Sequence, residues 1–140
     1  MVTHGQATDP FWSVVSNGAK DAAQELGISL HYQSPQNFDM ITMSQMIDAV
    51  IATKPDGLIL SVPDIPALRK SVVSASKKNI PIIVINAGSE IMEEVDILTY
   101  VGQSEYEAGL KAAEEMLKQG VKSVLCINHE IGNILSLIHI

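Results

Sequence analysis

The sequence predicts an α/β fold, an open parallel sheet with helices on both faces, and three observations predict it. Apolar residues recur at helical spacing in four segments, each with a polar opposite face. Between them lie short, nearly unbroken apolar runs, "GLILSV", "PIIVINA" and "SVLCIN", with weaker ones at "ISLHY" and "ILTYVG", as expected of strands covered on both faces. Gly27 and Gly120 each close a helical pattern just ahead of such a run, where a C-cap needs left-handed backbone. Helices this long can carry the crossovers that parallel strands require.

The elements follow in order. Residues 1–5 read as the end of a first strand whose beginning is missing, with Val2 and Thr3 as its β-favouring residues. Asp9 and Pro10 then open a helix: the carboxylate caps free N–H groups and the ring supplies a helical φ. Its apolar stripe reads Phe11, Val15, Ala22 and Leu26. The second helix carries Met43, Ile47, Val50 and Ile51. The third, with Asp64 as its cap, carries Ile65, Leu68, Val72 and Ala75, and the fourth Tyr106, Leu110, Ala113 and Leu117. After the last strand, residues 135–140 read "LSLIHI", which offers no helical pattern. That hexapeptide is what a common transposon-end sequencing adapter gives in translation, so it is read as a non-native tail and the chain as a fragment.

Composition narrows the function. Nine basic and sixteen acidic residues leave a formal charge of -7, and the lysines are scattered, so no basic stripe awaits a phosphate backbone. Nucleic acid is not an expected partner of this region. No apolar run approaches the roughly 18 residues of a membrane span, and no signal-peptide pattern opens the chain. Cys126 stands alone in an apolar run, which excludes an internal disulfide and multi-cysteine zinc sites. Enzyme signatures are also missing: there is no G-x-G-x-x-G, no Walker lysine and no G-x-S-x-G. His129 and Glu130 begin like the zinc motif H-E-x-x-H, but Asn133 stands where the second histidine would be, so neither a metal nor a catalytic site is assigned.

Ligands of open parallel sheets bind where strands end and loops enter helices. Those points carry "GQATDPFW", "SVPD", "NAGSE", "GQSE" and "NHEIGN". Paired donors and acceptors beside flat aromatic faces suit a small polyol. For Asp9 a cap alone is as good an account as a cap that also touches ligand. Phe11 lies on the apolar stripe, so core packing stands at least level with stacking. Trp12 lies off it, with Ser16 and Ala19 at its helical spacing, and is the ring assigned to a pocket.

Four segments in this order, "DPFWSVVSNGAKDAAQELGISL", "ITMSQMIDAVIATKPDGLIL", "NIPIIVINAG" and "YVGQSEYEAG", resemble the type I periplasmic sugar-binding proteins of ABC importers, the ribose-binding group. The resemblance implies a Rossmann-like N-terminal lobe over residues 1–103, the first helix and strand of a second lobe over 104–134, and a crossover near Gln103. It implies that Asp9, Phe11, Trp12 and Asn86 contact a sugar, with His129, Glu130 and Asn133 facing them from the second lobe. The family's acidic residue and following Arg are here Asn86 and Ala87. It further implies a receptor with no cofactor, a monomer at full length, held outside the bacterial cytoplasm, and a membrane permease as partner. The alternative on the same fold is the effector domain of a LacI-type regulator. The full-length helix after "GLILSV" favours the receptor.

Overall fold

The computed structural model describes residues 1–5 and 9–125. Its elements are α1 (Pro10–Leu26), α2 (Met40–Ala52), β1 (Leu58–Leu60), α3 (Ile65–Lys77), β2 (Ile82–Ile85), a 3-10 turn (Ser89–Glu93), β3 (Thr99–Val101) and α4 (Glu105–Lys118). Strands β1, β2 and β3 pair in parallel in that order, with Leu58 against Ile82 and Ile83 against Thr99. Val2 extends the sheet beyond β1, bridging in parallel to Leu60 on one side and Gln33 on the other.

The order across the sheet is therefore Gln33, Val2, β1, β2, β3, and the chain reverses direction at Val2. It runs outward through α1 to Gln33, then crosses back through α2 to β1. Parallel crossovers are right-handed, so the reversal puts α1 on the face opposite α2 and α3. Contact between α2 and α3, with the Ser44 and Ser71 hydroxyls 3.0 Å apart, agrees with this.

Alternation does the rest. Leu58, Leu60, Ile82 and Val84 point into the face that α2 and α3 cover, and are buried; Ile59, Ile83 and Ile85 point the other way and are half-buried. The core joins these to Met43, Ile47 and Ile51 of α2 and to Ile65, Leu68, Val72 and Ala75 of α3. Both helices bury the stripe their periodicity predicts, Val50 of α2 only in part. Asp39 and Asp64 cap them, accepting from Ile41 N–H at 2.9 Å and Ala67 N–H at 3.0 Å.

Three expectations need correction. First, α1 does not bury Phe11, Ala22 and Leu26: it buries Trp12, Ser16 and Ala23. The seated face is shifted by one residue and consists of one large ring followed by two small side chains. Second, "ISLHY" forms no ladder of its own. It runs extended beside residues 1–3, Gln33 N–H donating to the Met1 carbonyl at 2.9 Å and Thr3 N–H to the Gln33 carbonyl at 3.1 Å. Third, residues 123–125 of "SVLCIN" are not in a strand; the remainder, with Cys126 and the 135–140 tail, lies outside the described residues. Gly27 and Gly120 take the left-handed backbone expected of them, at φ 66° and 77°.

Candidate functional site

The point where strand order reverses is the strand end after Val2, and the aromatic side chains gather there. His4 and Gly5 leave that strand, Trp12 and Phe11 arrive on the first turn of α1, Phe38 precedes the cap of α2, and Ser61 follows β1. Trp12 is 4% exposed, its ring set edge-on to His4 with centroids 4.9 Å apart. Gly5 is required beneath it, since a Cβ there would fall inside the indole ring. Phe11 is 54% exposed and stands edge-on to Trp12 at 5.2 Å. Trp12, the ring assigned to a pocket, is thus the buried support, and Phe11, for which core packing stood at least level with stacking, is the face offered to solvent.

Asp9 is half-buried, and one of its carboxylate oxygens accepts from Phe11 N–H at 2.8 Å. That bond fixes the start of α1 and the carboxylate beside the exposed ring, leaving the second oxygen outside the cap. Asp9 is therefore both a helix cap and a neighbour of Phe11.

Asn86 ends β2 with φ 62°, a left-handed backbone that Asn tolerates better than most residues. Hydrogen bonds lace its turn to its neighbours. Asn86 N–H donates to the Val101 carbonyl at 2.9 Å, and Val62 N–H to the Ala87 carbonyl at 2.9 Å. The Tyr100 hydroxyl donates to the Asn86 carbonyl at 2.5 Å and lies 3.3 Å from the Gln103 carbonyl. Burial, joined by the negative charges of Glu105 and Glu90, pushes that phenol above its ordinary pKa of 10.0. Gln103 is exposed, and its side-chain amide donates to Glu105 at 2.8 Å. It borders a depression of about 300 Å³ shared with Ser89, Tyr100 and Tyr106.

Asp9, Phe11 and Trp12 form one group and Asn86 and Gln103 another, linked through Tyr100. At a strand spacing of about 4.8 Å, the end of β2 lies two strands, about 10 Å, from the end of the Val2 segment. His129, Glu130 and Asn133 lie outside the described residues. Sequence reasoning placed Ser61 among the strand-end candidates through "SVPD" but gave it no role, and it missed His4 and Phe38. A large apolar residue just ahead of the Asp39 cap was the available signal for Phe38; nothing in the spacing of His4 and Ser61 announces their contact.

An exposed aromatic face on the first turn of α1, a carboxylate oxygen at its cap and an amide at the end of β2 can cover the C–H side of a small molecule and pair its hydroxyls. Among the described residues no group of three His, Cys, Asp or Glu is placed to hold a metal ion, and no helix is long and apolar enough to cross a membrane.

Comparison with known proteins bears on the fold and the family. The family model described as "Periplasmic binding protein domain" matches residues 1–137. A carbohydrate transporter from Acidothermus cellulolyticus, solved in complex with myo-inositol, superposes with a TM-score of 0.92 at 32% identity, over 99% of this chain and 48% of that one. An ABC sugar transporter (periplasmic sugar binding protein) from Legionella pneumophila gives 0.89 at 30%, over 99% and 52%. The glucose-galactose binding protein GanP of Geobacillus stearothermophilus shares the fold, with 0.81 at 22%, over 99% and 50%. The chain spans about half the length of these structures. No curated protein sequence matches it.

Proposed function

The chain belongs to the periplasmic binding protein domain family, and from that premise we propose that it is the sugar-contacting part of a solute receptor. The receptor captures a small sugar or polyol between two lobes and hands it to the permease of an ABC importer, outside the cytoplasmic membrane. Residues 1–103 form its first lobe and 104–134 begin the second, with the crossover near Gln103. It performs no chemical step. Phe11 covers the ligand's C–H face, Asp9 accepts from its hydroxyls, and Asn86 reads a further hydroxyl from the end of β2. His129, Glu130 and Asn133 close on the ligand from the second lobe.

The observation that carries the reading is the exposed Phe11 ring, held by buried Trp12 at the strand end where the sheet order reverses. A sugar is well solvated, so its capture depends on pairing hydroxyls in a dry cleft and covering its apolar faces. Charged acceptors make the stronger bonds, about 1.5–3 kcal/mol each, which suits Asp9. The ligand of the Acidothermus relative, myo-inositol, is a cyclic polyol of this kind. Calorimetric titration of the full-length protein with pentoses, hexoses and inositols tests the proposal. One of them binds in the micromolar range or tighter; failure of the whole panel refutes it.

A further inference from the structure

Resting on that reading, we infer that His4 and Ser61 are positioning residues for the aromatic wall: their buried hydrogen bond aims the rings whose outermost member, Phe11, meets the ligand.

His4 is 3% exposed and Ser61 fully buried, so neither touches a ligand held on the lobe surface. Their geometry is specific. The Ser61 hydroxyl oxygen accepts the main-chain N–H of His4 at 2.9 Å and lies 2.8 Å from Nδ1 of the same residue. The hydroxyl oxygen has two lone pairs and one hydrogen, so it can hold the main-chain N–H and the ring nitrogen of His4 at once. Both the main chain and the ring of His4 are thereby tied to one atom at the end of β1.

The ring so fixed is the hub of an aromatic chain. Trp12 meets its edge at 4.9 Å and Phe38 at 5.9 Å, and Phe11 meets Trp12 at 5.2 Å, all within about 15° of perpendicular. Gly5 allows the indole to lie against the backbone on one side, and its lack of a Cβ provides no stop of its own. The orientation of Trp12 is then set by the imidazole beside it. Three segments meet through this hub: the strand end, the first turn of α1 and the residue ahead of α2. A rotation of His4 is passed to Trp12 and from there to Phe11, and a misdirected ring loses contact with a rigid ligand.

The test uses the full-length protein and its best-binding sugar. In Ser61→Ala and in His4→Phe, the sugar Kd rises at least tenfold and the near-ultraviolet circular dichroism of Trp12 changes before sugar is added. The double variant is no weaker than the worse single, because the ring bond between the two residues is already lost in either one. Ser61→Cys, which keeps a small polar group at the position, retains more affinity than Ser61→Ala and serves should the alanine variant not fold. Folded variants whose Kd stays within twofold of the parent, or whose effects multiply independently, overturn the inference. A parent that binds no sugar instead refutes the receptor reading, so the two failures are distinct.

Discussion

Two adjacent aromatic residues on one helical turn have opposite fates, and the difference is set by what lies beneath each. Trp12 faces Gly5 and His4 and is buried; Phe11, 100° round the helix, faces outward beside Asp9. Trp12→Ala should cost about 3–5 kcal/mol of stability, as removal of a buried large ring does, and urea unfolding measures it. Asn86 behaves differently. At φ 62° an alanine is strained by about 1 kcal/mol, whereas glycine is not, so Asn86→Gly removes the side chain alone. We expect Asn86→Gly to weaken sugar binding by about 0.5–1.5 kcal/mol while leaving the urea midpoint close to that of the parent. Residue types at strand ends were legible in the sequence, because loops after parallel strands carry polar groups by position. Which ring turned inward was not, because it depends on a glycine seven residues earlier that no helical spacing connects to Trp12.

At the scale of elements, the sequence was a good guide where a helix packs by its apolar stripe and a poor one where it packs by small residues. Helices α2 and α3 bury what periodicity selects. Helix α1 sits on Trp12, Ser16 and Ala23, and its Leu26 is left exposed. Ser16 is a small residue in a buried position, so Ser16→Leu should overpack the interface and cost about 1–3 kcal/mol in urea unfolding, although leucine is the better helix former. The turns after β2 and β3 are joined by the Tyr100 hydroxyl, whose pKa is raised above 10.0 by burial, Glu105 and Glu90. The folded state then holds that proton more tightly than the unfolded chain. This contribution to stability is complete below about pH 10 and is lost as pH rises through the raised value. Tyr100→Phe should flatten the alkaline fall in stability, measured by urea midpoints from roughly pH 8 to 11 against the parent.

At the scale of the molecule, helix α4 stands apart from the other elements. It buries no residue, with Tyr106 69% and Leu117 72% exposed along the stripe its sequence predicts. The chain covers about half the length of its solved relatives, and we place α4 in the proposed second lobe beginning at residue 104, where other elements cover its apolar surface. We expect amides of α4 to exchange faster in the 140-residue chain than in the full-length protein, while those of β1 and β2 exchange alike in both. Equal rates in α4 would count against its place in a second lobe. The central claim concerns the exposed ring at the reversal of the sheet, and calorimetric titration of full-length Phe11→Ala beside the parent tests it most directly. The account predicts a sugar Kd raised at least tenfold with the unfolding midpoint nearly unchanged, since Phe11 is more than half exposed. A Phe11→Ala protein that binds its sugar as tightly as the parent would contradict it.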